Sequence, residues 1–287
     1  MKTKLAFSIT FICIAFFPTL NLNAQDKKWD VKKFDQTLSL TRGTVSPTNS
    51  VSYYFDRAEA CRFAKTEWGW LDKNCGGMDA FLLNTAPNID TVLIETPNND
   101  GYVKFDDWDA SDKDESIQKI WDALKLKYAE QSKRINKKFE IVRWLVYPKL
   151  VKEKKFLYYA FLANIEGVEQ PMINASVLDR EGYIKFQVVT QNLTSSSSEI
   201  EFKRTIEGAL GLYTPNPSKS YADYRPGDKV SEYGIMSVLA ALAGIKWGKA
   251  AAAGIFATLL IFAKKFWWLI LLPFYFLVRK IFRRNKQ

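Results

Sequence analysis

From residue 139 to residue 189 apolar and polar positions interleave in four consecutive runs, FEIVRWLVY, KFLYYAFLANI, MINASVL and YIKFQVV. Runs of this length, rich in aromatic and β-branched residues, predict four strands, and DREG between the last two predicts a hairpin turn. Upstream, Thr37–Thr41, Val51–Phe55 and Thr91–Glu95 predict shorter strands. Three stretches follow a helical period instead. Arg57–Trp70 predicts a helix with Asp56 as N-cap, broken by NCGGM. In Asp112–Gln131, Ile117, Ile120, Trp121, Leu124 and Tyr128 recur at i, i+3, i+4 spacing on one face. Ser111 is the expected cap there, and Asp114 completes an S-x-x-D box. In TSSSSEIEFKRTIEGAL, Ser198 and Glu201 form a capping box and Phe202, Ile206 and Leu210 share a face. Strands in series with separate helices argue for an α+β fold, a mainly antiparallel sheet with packed helices.

The pattern changes at both ends. Lys2 and Lys4, the apolar stretch Leu5–Leu20 and the small residue Ala24 read as a signal peptide over residues 1–24, with an uncleaved anchor as the alternative. From Gly234 onward apolar residues dominate, in the runs Ile235–Ile245, Ala250–Ala263 and Phe266–Val278. The last two are about 20 Å each as helix, too short to span a bilayer core of about 30 Å. Joined, residues 250–278 suffice and predict a C-terminal transmembrane helix, with Lys264 and Lys265 near its middle and Trp267 and Trp268 beside them. Two central lysines cost on the order of 5–7 kcal/mol, which the surrounding Leu, Ile, Phe and Val residues and snorkelling offset. The pair also offers a polar seam for self-association into a homo-oligomer. The alternative crossing lies near 235–263. The layout expected is then an exterior domain over 25–220, a juxtamembrane elbow and apolar helix over 221–249, the crossing over 250–278 and a basic cytoplasmic tail over 279–287. In the elbow, Tyr224, Arg225, Pro226, Gly227 and Asp228 form a turn, with Pro226 at i+1 and Gly227 at i+2 of a type II geometry. Asp228 or Ser231 is placed to cap the following helix, and Tyr221, Tyr224 and Tyr233 to sit at the headgroup level.

Charge supports this layout. The net charge is +10, which alone invites a nucleic-acid reading. Yet residues 25–230 carry equal numbers of basic and acidic side chains, and the excess falls mainly in residues 231–287. Lys and Arg there mark the cytoplasmic side of a membrane, so the expected partners are the membrane and an envelope protein, not nucleic acid. Cys61 and Cys75 remain once Cys13 leaves with the signal, an even pair in a secreted context. They form a disulfide or stay as two partly buried thiols. The chain has no His, so His-based acid–base chemistry and His metal ligation are excluded.

One cluster carries candidate chemistry. In GYVKFDDWDASDKDES, six acids fall between residues 106 and 115. Asp106, Asp107 and Asp109 are the candidate ligand or metal residues, because hard cations take several oxygens from one short loop. An EF-hand register starting at Asp107 fails, with Asp112 where Gly is needed and Gln118 where the bidentate Glu belongs. The plainer reading is a solvated loop feeding a helix N-terminus. No nucleophile elbow, P-loop or dinucleotide fingerprint is present, and no cofactor is expected. KLVKEKK, over 149–155, reads as a charged turn.

The stretches DGYVKFDD, REGYIKFQVV and NPSKSYADYRPGDKVSEYG, with KKFW ahead of a basic tail, are similar to the domain of unknown function 2167 family, a group of bacterial proteins expected to be membrane-anchored. The resemblance runs over about residues 35–285. It implies an anchored envelope protein and supplies no established activity and no catalytic residues. The expectation is therefore a binding or assembly module outside the cytoplasm, single-pass in the cell membrane. The alternative is an envelope enzyme using the carboxylates of Asp106, Asp107 and Asp109.

Overall fold

A computed structural model describes residues 29–72, 75–86 and 89–245. Short strands β1 (Lys32–Lys33), β2 (Leu38–Ser39), β3 (Gly43–Val45) and β4 (Tyr53–Phe55) lead to helix α1 (Arg57–Trp68). The hairpin β5 (Met78–Ala86) and β6 (Ile89–Glu95) follows, then a 3-10 turn at Asp106–Asp109 and the long helix α2 (Lys113–Ile135). The meander β7 (Phe139–Val151), β8 (Phe156–Ile165), β9 (Val168–Asp179) and β10 (Gly182–Val189) comes next. Helix α3 (Glu199–Leu210), strand β11 (Tyr213–Pro215) and helix α4 (Ile235–Leu242) complete the described chain.

Eight strands form one antiparallel sheet in the order β1-β4-β5-β6-β10-β9-β8-β7, and β11-β3-β2 form a small second sheet. Successive side chains on a strand face opposite ways, and helices cover both faces. On one, α3 buries Phe202, Ile206 and Leu210 against Ile94, Ile184, Phe186 and Val188. On the other, α1 packs Phe63 and Trp68 onto Phe81, Leu83 and Leu93. Further along that same face, α2 sets Trp121 on Trp144 with ring centroids 4.2 Å apart and Tyr128 on Phe139 at 4.3 Å. Truncating a fully buried ring such as Phe63 to Ala would cost about 3–5 kcal/mol.

The α+β architecture and the four-strand meander match the sequence pattern. Asp56 caps α1 by accepting from the Glu59 N–H, and Ser198 with Glu201 forms the capping box of α3. Three details differ. Strand β5 has no counterpart among the predicted strands, because it is buried on both faces, lacks a clean alternation and is interrupted by irregularities between Met78 and Ala80 and between Leu83 and Ala86. At the head of α2, Ser111 forms no cap; Asp112 stands there without a side-chain capping bond. Finally, the apolar run at Ile235 begins as a short helix packed into the domain. Helix α4 buries Ile235, Met236, Val238, Leu239 and Leu242 within the same compact unit, which runs to Ile245. A crossing near 235–263 would have to extract these core residues.

Cys61 on α1 is bonded to Cys75, a separation of 14 residues. Closing a loop of that length contributes about 3 kcal/mol in the chain-entropy account. Among the described residues no helix is long and apolar enough to cross a membrane. The signal peptide, the expected crossing over 250–278 with Lys264, Lys265, Trp267 and Trp268, and the basic tail lie outside the described residues.

Candidate functional site

Three sequence stretches far apart in the chain meet at the β9–β10 turn. Arg180, in that turn, donates from Nε and Nη2 to the two carboxylate oxygens of Asp228 at 2.7 and 2.6 Å. The Asp228 N–H closes the turn on the Arg225 carbonyl at 3.0 Å, and Gly227 takes φ 99°, as position i+2 of a type II turn requires. Arg180, and after it the Arg225 N–H, hold the Asp228 carboxyl down at about 2. The third stretch joins through its backbone. The Tyr102 N–H donates to the Lys229 carbonyl at 2.8 Å, and the Ser231 N–H donates to the Tyr102 carbonyl at 2.9 Å. Tyr102 lies between Tyr221 and Tyr224, with centroids at 4.3 and 4.2 Å, and Phe105 stacks on the far side of Tyr221. Lys155 sits over Phe105 and Tyr221. Below this joint, Asp179 and Arg42 form a buried ion pair at 3.4 Å. Burial raises the Asp179 carboxyl against the pull of Arg42.

The joint corrects two expectations. Neither Asp228 nor Ser231 caps α4, since Asp228 is engaged by Arg180. Tyr221 does not sit at a headgroup level; it is buried, with its hydroxyl donating to the Val103 carbonyl at 2.6 Å. Arg225, Pro226 and Gly227 form the exposed tip of the turn.

The acidic loop also resolves differently from a cation site. Asp107 accepts the Ile235 N–H at 2.9 Å and the Met236 N–H at 3.0 Å, and so caps α4 from outside the helix. A Cβ at position 234 would collide with this carboxylate, which explains Gly234. Burial raises the Asp107 carboxyl, opposed by the two N–H groups. Asp109 pairs with Lys152 at 2.6 Å, and Asp114 accepts from the Tyr147 hydroxyl at 3.1 Å. Asp107 and Asp109 thus serve separate contacts rather than one point, and Asp106 is exposed beside them. Among the described residues no three acids or cysteines gather as a metal group.

A cavity of about 160 Å³ opens elsewhere, between α1 and α2. Trp68 and Trp70 from the end of α1 form one wall, and Lys127, Tyr128, Gln131 and Arg134 from α2 form the opposite one. Gln131 Nε2 donates to the Trp68 carbonyl at 3.1 Å and ties the walls together. The floor is the middle of the sheet, where Asn174 on β9, Lys185 and Gln187 on β10 and Glu95 on β6 point up. Leu242 and Gly244 close the end near α4. Lys185 pairs with Glu95 at 2.5 Å. Lys127 donates to the Ala243 carbonyl at 2.9 Å. Burial, with the charges of Lys185 and Arg134 against that of Glu95, lowers the Lys127 ammonium to about 8. Asn174 and Gln187 are direct cross-strand neighbours. Among the described residues neither the Asn174 side chain, 7% exposed, nor the Gln187 amide has a hydrogen-bond partner.

None of these cavity residues stands out in the sequence as a site. Lys185 and Gln187 alternate with Ile184, Phe186 and Val188, the ordinary mark of a strand with one wet face. The signal was the combination. A central strand covered by helices on both sides should be apolar on both faces, so polar residues on one face call for a cavity.

Fold and site together define a single α+β domain, an antiparallel sheet sandwiched between helices, with a ligand-sized cavity beneath one helical layer. The family model described as Protein of unknown function (DUF2167) matches residues 34–275, and the chain belongs to this family. No curated protein and no solved structure matches it.

Proposed function

We propose that this protein is a membrane-anchored envelope protein whose exterior domain is a binding module, with the cavity between α1 and α2 as its ligand site. The observation that carries the binding reading is the pair Asn174 and Gln187. Two cross-strand amides line a walled cavity and make no side-chain hydrogen bond to the described residues, so their donors and acceptors are open to whatever fills it. The anchored, exterior placement is supported by the leader pattern of residues 1–24, the apolar run 250–278 and the concentration of Lys and Arg beyond residue 230. The Cys61–Cys75 bridge suits an oxidising compartment. The use of Asp107 as a helix cap and of Asp109 as an ion-pair partner counts against the alternative of a carboxylate-based enzyme.

Ligand-observed NMR on the full chain in detergent, against a fragment library spanning neutral, cationic and anionic compounds, tests the binding reading. Fragments should bind and lose their signal in the Asn174→Leu/Gln187→Leu variant. A library with no cavity-dependent binder would overturn it. Protease applied to spheroplasts should digest the exterior domain and protect a C-terminal fragment; an externally accessible tag on Gln287 would overturn the topology.

A further inference from the structure

The cavity has a charge and a size, and together they select a ligand class. This step rests on the binding reading above. The volume of about 160 Å³ is close to that of an engineered cavity of about 150 Å³ that admits benzene, so one ring is the body it can enclose. Trp68, Trp70 and Tyr128 supply flat apolar walls for such a ring. Three cations and one acid line the space. Glu95 is already matched by Lys185 at 2.5 Å, which leaves Lys127 and Arg134 uncompensated. Lys127 spends one of its three donors on the Ala243 carbonyl, and Arg134 has no ion-pair partner among the described residues. A cationic ligand would meet net repulsion, and a neutral one would leave both charges unanswered.

We propose that the cavity binds a small organic monoanion, a carboxylate on a single-ring apolar body, with the carboxylate met by Lys127 and Arg134 and the ring by Trp68 and Trp70. Asn174 and Gln187 supply donors for a second polar group or for the waters that share the site. The state of Lys127 makes the affinity depend on pH. The groups that face it are Lys185 on β10, Glu95 on β6, Arg134 on its own helix and the Ala243 carbonyl at the end of α4. Its ammonium is lost as pH rises through about 8, so a bound anion is held more weakly above that pH.

Isothermal titration calorimetry on the full chain in neutral detergent, with benzoate, benzamide and inorganic phosphate as probes, tests this. Benzoate should bind one per chain and weaken from pH 7 to pH 10. Benzamide, the neutral isostere, and phosphate, the anion without a ring, should each bind about tenfold more weakly or worse, as loss of a charge-assisted contact or of ring burial requires. Lys127→Met should cost benzoate about tenfold and leave benzamide unchanged. Arg134→Gln, on the exposed rim, should act in the same direction and keeps the test sound if Lys127→Met fails to fold. Benzamide binding as tightly as benzoate, or phosphate binding as tightly, would overturn the proposal while leaving a binding module in place. Failure of benzoate alongside cavity-dependent binding of neutral or cationic fragments would do the same, whereas failure of every fragment class would remove the binding reading itself.

Discussion

Asp107 caps helix α4 from a position 128 residues upstream of Ile235, one carboxylate oxygen for each of the Ile235 and Met236 N–H groups. The first N–H groups of a helix have no partner within it, and Gly234 offers no side chain to supply one. A remote carboxylate therefore fixes where α4 begins and ties the last described helix to the 3-10 turn ahead of α2. Asp107→Ala should lower stability by about 1–2 kcal/mol, the usual cost of a lost N-cap. It should also speed amide exchange over residues 235–240, read by hydrogen-exchange mass spectrometry. Asp106→Ala, one residue away and exposed, should do neither. Equal effects from the two substitutions would refute the capping role.

The Arg180–Asp228 pair makes the joint sensitive to acid. The folded Asp228 carboxyl titrates at about 2, against about 3.9 in an unfolded chain. The folded state thus takes up this proton less readily than the unfolded one. The contribution of the pair is present above the unfolded value and fades as pH falls from there through about 2. Urea unfolding of the wild type and of Asp228→Asn should show the wild type more stable at pH 6, with the difference shrinking at pH 2.5. A difference that stays constant would mean that the pair is not what depresses the carboxyl.

Two glycines in the joint separate backbone strain from steric contact. Gly101 and Gly227 hold φ values of 94° and 99°, so alanine is strained at both. A Cβ on Gly101 would lie 2.7 Å from the Lys229 carbonyl oxygen, while one on Gly227 meets nothing within 4 Å. Gly227→Ala should cost about 1 kcal/mol, from strain alone. Gly101→Ala should cost more, about 2–3 kcal/mol, because the strand-like contact between Tyr102 and Val230 must also open. Denaturant midpoints in the opposite order would contradict the placement of Lys229 against Gly101.

The elements easiest to read from the chain were those whose period and caps agree. The face of α2 through Ile120, Leu124 and Tyr128 and the box at Ser198 and Glu201 are examples. What stayed hidden was long-range. Nothing local in FDDWD says that Asp107 looks toward Ile235, and nothing in KSYADYRPGDK says that Asp228 is already committed to Arg180. The apolar run at 235 and the run beyond 250 look alike as sequence, because hydrophobicity reports burial and not what does the burying. The cavity was hidden for a related reason. Lys127 lies on the seam of α2 beside Tyr128, and only the gap between α1 and α2 turns it from a snorkelling lysine into a lining group.

The same geometry predicts how the acidic loop responds to divalent cations. A site for Ca²⁺ needs several oxygens aimed at one point. Asp107 is instead turned toward the start of α4, and Asp109 toward Lys152. Bringing both to one cation would uncap α4 and break the ion pair, so cation binding would oppose two existing interactions. Millimolar Ca²⁺ or Mg²⁺ should therefore leave the melting temperature of the protein unchanged. A ligand present at 100 times its dissociation constant adds about 2.7 kcal/mol, which for a domain of this size raises the midpoint by several degrees, about 5–10 °C. A rise of that order, abolished in Asp107→Asn/Asp109→Asn, would show that the loop rearranges around a metal. It would promote the carboxylate-based enzyme from the alternative to first place.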